Sequence, residues 1–203
     1  MNTQVHTTYQ FDELSDEAKE KTIESNYDWN TGFDWWEFSY EDFKAVGKIL
    51  GIEIENLYFS GFYSQGDGAC FTGDYSYAKQ SLKNIKSYAP LDEDLHNIAK
   101  ELQELQKPFF YGLSAHVKHS GRYSHEYSTS IDVQKEDFTE CWGGDIWVNS
   151  DTHDAISGIL RSFMQWMYNR LRKEYDYLTS EEAIKESLIA NEVEFNEDGS
   201  NHY

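Results

Sequence analysis

Hydrophobic and polar positions alternate over several short stretches of the chain and recur at helical spacing over others. Val5, Thr7, Tyr9 and Phe11 alternate with polar residues and predict a first strand over Gln4 to Phe11. Ile52, Ile54, Leu57, Tyr58 and Phe59 predict a second over Ile52 to Phe62, with Ala69 to Tyr77 as its partner. The link Tyr63-Ser-Gln-Gly-Asp-Gly68 holds two glycines that can take positive φ and close a hairpin. Phe109, Tyr111, Leu113, Ala115 and Val117 alternate with polar or small residues, and Tyr123, His125, Tyr127, Thr129, Ile131 and Val133 do so after a turn at Ser120-Gly121. These two runs predict an antiparallel pair with odd-numbered residues on one face.

Helical spacing marks the remainder. Ser15 can cap a helix reaching Asn26, with Asp16 and Glu17 in the first turn, where exposed amides favour negative charge. Ser39-Tyr-Glu-Asp42 resembles a capping box, and Phe43, Val46 and Leu50 follow before Gly51 stops the helix. Leu95, Ile98, Leu102 and Leu105 lie on one face of a helix that Pro108 ends. Ile156, Leu160, Phe163, Met167 and Leu171 form an apolar stripe from Asp151 to about Tyr175, and Thr179-Ser-Glu-Glu182 opens a short last helix. Strands and helices mix without a strict βαβ rhythm, so the fold class is α+β: one antiparallel sheet of about five strands with helices packed on one face. With two prolines, no linker and no repeat, residues 1–203 read as a single α+β domain whose last residues, 197–203, are flexible.

Charge narrows the range of partners. The chain carries 37 Asp or Glu against 17 Lys or Arg, a formal charge of −20. Nucleic acid and anionic membrane are bound through basic side chains that release counterions, so direct binding to either is excluded as an expectation. Aromatic residues make up 16% of the chain, more than a disordered acidic tail carries, so the chain folds. No stretch approaches the roughly 20 apolar residues of a membrane span, and MNTQVHTTYQ lacks the regions of a signal peptide. The expectation is a soluble cytoplasmic protein. Cys70 and Cys141 form no CxxC pair and read as small hydrophobes.

Candidate chemistry is sparse. The segment Ser64 to Asp74 lacks the Lys and Ser/Thr of a phosphate loop. Ser64, Gln65, Asp67 and Asp74 could serve a metal- or nucleotide-dependent enzyme or ligand binder, but nothing supplies the remaining oxygens a cation needs. His116, His119 and His125 are close in sequence, yet strand alternation makes their rings diverge. No catalytic residue, metal ligand or cofactor is assigned, and an enzyme is the less favoured reading. The acids say more. Asp16, Glu20 and Glu24 repeat at i+4 and make one ridge, about 6 Å between neighbours, which compares with phosphate spacing along a nucleic-acid strand. Trp35 and Trp36 are aromatic contacts that could accompany it.

At Leu14-Ser-Asp-Glu-Ala-Lys19, Phe59-Ser-Gly-Phe-Tyr-Ser-Gln-Gly-Asp-Gly-Ala-Cys-Phe71, Tyr177-Leu-Thr-Ser-Glu-Glu-Ala183 and Ala190-Asn-Glu-Val-Glu-Phe-Asn-Glu-Asp-Gly199 the chain resembles a family of phage- and prophage-encoded proteins, some labelled antitoxin of a toxin-antitoxin stability system. The resemblance implies a mobile-element origin and a bacterial cytoplasm, and carries no catalytic residues with it. Joined to the charge, it leads to an expected non-enzymatic inhibitor of a bacterial nucleic-acid-handling or defence complex, of anti-CRISPR or anti-restriction type, acting as a DNA mimic on a basic surface. The alternative is an antitoxin that neutralises one toxin. The oligomeric state is left open.

Overall fold

The computed structural model describes residues 7–135 and 148–202. Val5 and Cys141, both used above, lie outside the described residues. Contacts gather the chain into two compact units, residues 1–37 with 172–203 and residues 38–171.

The larger unit is built on four antiparallel strands, β1 (Ile52–Ser60), β2 (Gly68–Ser76), β3 (Leu113–His119) and β4 (Thr129–Lys135), in the order β1-β2-β3-β4. Alternation sorts their side chains: Phe71, Tyr75, Leu113, Ala115, Val117, Ile131 and Val133 are buried, whereas Asp74, Lys118 and Asp132 are exposed. The helices here are α2 (Glu37–Leu50), α3 (Ser81–Tyr88), α4 (Glu93–Gln106) and most of α5 (Ser150–Leu178). They cover the apolar face through Phe71 against Phe163, ring centroids 6.0 Å apart, and Phe43 against Trp166 at 5.4 Å. Full burial of each such ring contributes about 1.5–3 kcal/mol. Gln106 fixes α4 to the sheet. Its Nε2 donates to the Leu113 carbonyl at 2.7 Å and to Tyr75 Oη at 3.1 Å, and its Oε1 accepts from the Leu113 amide at 3.0 Å.

In the smaller unit α1 (Asp16–Ser25) and α6 (Glu181–Ala190) enclose a core of Phe11, Leu14, Ala18, Ile184, Leu188 and Phe195. Ser15 caps α1 by accepting from the Ala18 amide, and Ser180 caps α6 by accepting from Ala183. Thr22 Oγ1, fully buried, donates to the Ala18 and Gly199 carbonyls at 2.8 and 2.9 Å. Gly199 has φ +80°, and a Cβ there would stand 2.3 Å from the Ala18 carbonyl oxygen. Only glycine lets the C-terminal turn approach α1 so closely.

Four expectations need correction. The sheet has four strands, not five: among the described residues of the expected first strand, Tyr9 makes one bridge to Phe195 and Phe11–Glu13 turns as a 3-10 helix. Residues 109–112 are not strand, because Lys107–Phe109 is a 3-10 turn with Pro108 at its start, and Phe110 and Tyr111 follow at φ 53° and 63°. Residues 123–128 are not strand either. His125 Nδ1 accepts from the Tyr127 amide and Ser128 Oγ donates to the His125 carbonyl, and these local bonds hold a 3-10 turn at Glu126–Ser128. Finally, α2 begins at Glu37, so Ser39 does not cap it, and Ser180 rather than Thr179 caps α6. No helix among the described residues is long and apolar enough to cross a membrane.

Candidate functional site

On α1 the i+4 repeat puts Asp16, Glu20 and Glu24 on the exposed side, opposite buried Ala18 and Thr22. None of the three pairs with a Lys or Arg among the described residues. Lys21, the cation nearest the ridge centre, turns instead to Asp198, Nζ to Oδ2 2.6 Å. That ammonium, with hydrogen bonds from Ser200, holds the Asp198 carboxyl well below the usual carboxylate range. The ridge therefore keeps its charge uncompensated. Trp35 is buried at 8% exposure, against Trp36 at 5.8 Å and Tyr175 at 5.9 Å, and so belongs to the packing rather than to a contact surface; Trp36 is half-buried.

A second acidic feature lies in the larger unit, between α4 and α5. Asp94 and Glu101 with Asn97 from α4, and Gln165 and Asn169 from α5, line one stretch of this groove. Glu101, Glu104 and Asp154 line the next, a cavity of about 610 Å³ with Ala155 and Gly158 on its wall. No Lys or Arg is among the lining residues of either stretch. Gly158 is exposed, and a Cβ there would meet nothing within 4 Å. The groove was missed in the sequence because its carboxylates come from helices far apart in the chain. The visible signal was the polar side of α4, where Asp94, Glu101 and Glu104 share a face at spacings of seven and three.

The hairpin residues do not converge. The Ser64 amide donates to Asp67 Oδ2 at 2.7 Å, closing the turn on itself, while Asp74 stands near the other end of β2 and accepts from His116 Nδ1 at 2.7 Å. Seven positions of extended chain, about 20 Å, separate the two carboxylates, so Ser64, Gln65, Asp67 and Asp74 are not one site. Ser64 and Gln65 are exposed. The histidines also go separate ways: His119 Nε2 meets the Tyr123 carbonyl at 2.8 Å with its ring on Tyr58, and His125 caps its own turn. Among the described residues no group of three His, Cys, Asp or Glu could hold a metal ion. Cys70 is fully buried, and burial pushes its thiol up to about 11, with Ser128 lowering and Glu126 raising it in smaller measure. A thiol so placed is protonated at neutral pH and is not a nucleophile.

A family described as a domain of unknown function, DUF8835, matches residues 35–181. The chain belongs to this family. The match takes in the whole of the larger unit, with the α4–α5 groove, and leaves Asp16, Glu20 and Glu24 outside it. No curated protein and no solved structure matches the chain.

Proposed function

We propose that this DUF8835 protein is a non-enzymatic acidic binding protein of phage or prophage origin. It occupies a basic surface of a bacterial nucleic-acid-handling or defence complex and keeps nucleic acid from it. The observation that carries the reading is the pairing state of the carboxylates: Asp16, Glu20 and Glu24 on α1, and Asp94, Glu101, Glu104 and Asp154 along the groove, have no Lys or Arg partner among the described residues.

Acids that served only hydration would gain by pairing with nearby lysines, each pair contributing about 0.2–1 kcal/mol. Leaving them unpaired on ordered helices keeps a fixed negative field, which speeds encounter with a cationic groove and suits its register. Carboxylates at helical spacing can take the phosphate positions of a strand against a row of Lys and Arg.

The test is capture from a bacterial host on the immobilised chain, followed by a DNA-binding assay on the protein retained. The expected catch is a nucleic-acid-handling protein that loses its DNA as this chain is added, and that a chain carrying Asp16→Lys, Glu20→Lys and Glu24→Lys with Glu101→Lys and Glu104→Lys neither retains nor inhibits. A retained protein that keeps its DNA, or equal retention by both chains, contradicts the reading.

A further inference from the structure

The negative charge has a gap. From Tyr75 to Leu91 there is no Asp or Glu, although 37 of 203 residues are acidic, and three lysines fall inside the gap. Lys79 precedes α3, and Lys83 and Lys86 follow on it at spacings of four and three, so all three share one side of the helix. That side faces a cleft of about 560 Å³, lined also by Tyr77, Gln80 and, from α4, Gln103. The three lysines are exposed, and none is in an ion pair among the described residues. In a protein with twice as many acids as bases, three neighbouring ammonium groups without a carboxylate repel one another, and a bound anion relieves that repulsion.

The backbone around the cleft is strained. Gln80, Phe110 and Tyr111 have φ of 65°, 53° and 63°, three of the five positive-φ residues other than glycine. Each such conformation costs about 1–2 kcal/mol for an L-residue. Together they hold the Tyr111 ring 4.4 Å from Tyr77, fixing a tyrosine wall on the cleft, and leave the neighbouring Phe110 ring exposed. Gln80 and Gln103 supply carboxamides, which both donate and accept.

We infer that the α3–α4 cleft binds a small phosphate-bearing ligand with an aromatic ring, of the nucleoside phosphate class. The lysines take the phosphates, the tyrosine wall takes the ring, and the carboxamides meet its polar edge. Size decides against a polymer. The volume falls in the range of about 300–1,000 Å³ typical of small-molecule sites, and a charge of −20 repels any strand that runs beyond the patch by more than a Debye length, about 8–10 Å.

The experiment is calorimetric titration of the full chain at low salt with ADP, adenosine, and a ten-nucleotide single-stranded DNA, repeated on Lys79→Gln/Lys83→Gln/Lys86→Gln and separately on Tyr77→Leu. Saturable ADP binding, weakened about tenfold or more by the lysine variant and by loss of the phosphates, with unchanged melting of that variant, supports the inference. Tyr77→Leu weakens ADP and leaves inorganic pyrophosphate unaffected. ADP that fails to saturate, equal binding of ADP by wild type and lysine variant, or DNA binding as tight as ADP overturns it. None of these results depends on the acidic partner surface.

Discussion

Asn26 and Asn201 exchange two side-chain hydrogen bonds, Nδ2 of each donating to Oδ1 of the other at 3.1 and 3.0 Å. Asn26 closes α1, and its Nδ2 also donates to the Thr22 carbonyl at 2.8 Å, so the end of the acidic helix is tied to the last residues of the chain. Asn26 is buried, and truncating it strands the amide of Asn201. Asn26→Ala is expected to cost about 2 kcal/mol in chemical denaturation, with faster hydrogen exchange along α1. Unchanged exchange there would show that the ridge is not held by this pair.

Gly68 lies beneath His125. A Cβ on Gly68 would stand 2.3 Å from the His125 Cβ and 2.7 Å from its Cα, so the 120–128 connection can rest on β2 only while residue 68 has no side chain. Gly68→Ala is expected to destabilise by about 1–3 kcal/mol, and His125→Gly in the same chain to restore much of the loss. A double variant no better than the single one would place the damage elsewhere.

Gly158 is the opposite case. It is exposed in the middle of α5 with room for a Cβ. Gly158→Ala is expected to stabilise by about 0.5–1 kcal/mol, the helix-propensity difference, while Gly158→Trp fills the acidic groove and lowers partner retention at unchanged melting temperature. Full retention by the Trp variant removes the groove from the account.

Burial raises three neutral acids: Tyr40 and Tyr75 to about 12 and Cys70 to about 11. Each is higher in the folded chain than unfolded, so its contribution is complete below about pH 9, near the unfolded thiol value, and is lost as pH climbs toward 11 and 12. Once ionised, Cys70 and Tyr75 each remove about 2–3 kcal/mol. Denaturant midpoints should hold to pH 9 and fall steeply above it, less steeply for Cys70→Ala. In a Cys141→Ser chain at pH 8, native Cys70 should resist alkylation that the unfolded chain accepts.

The sequence carried the helices best. The stripes of Leu95 to Leu105 and Ile156 to Leu171 lie where spacing puts them, because a buried helix face leaves a long periodic record. Strand ends were harder to read: alternation through Tyr123, His125 and Tyr127 matches a strand, yet local hydrogen bonds from His125 and Ser128 bend that run into a loop, and two of its tyrosines face water. At the start, Tyr9 pairs for one residue only. Helix α3 went unseen because eight residues are too few for a periodic signal. Of the candidate sites, the α1 ridge could be read from one helix, whereas the groove needed α4 and α5 side by side. The lysine cleft was legible as a run without acids, a pattern visible only against the charge of the whole chain.

The account rests on unpaired carboxylates steering a cationic partner. Its most direct measurement is the association rate with the captured partner, by stopped flow, between about 50 and 500 mM salt. The wild-type rate should fall steeply as salt rises, and Asp16→Lys, Glu20→Lys and Glu24→Lys together should lower the low-salt rate by about tenfold or more and flatten the slope. A rate indifferent to salt, or a reversed ridge that associates as fast as the native one, would contradict it.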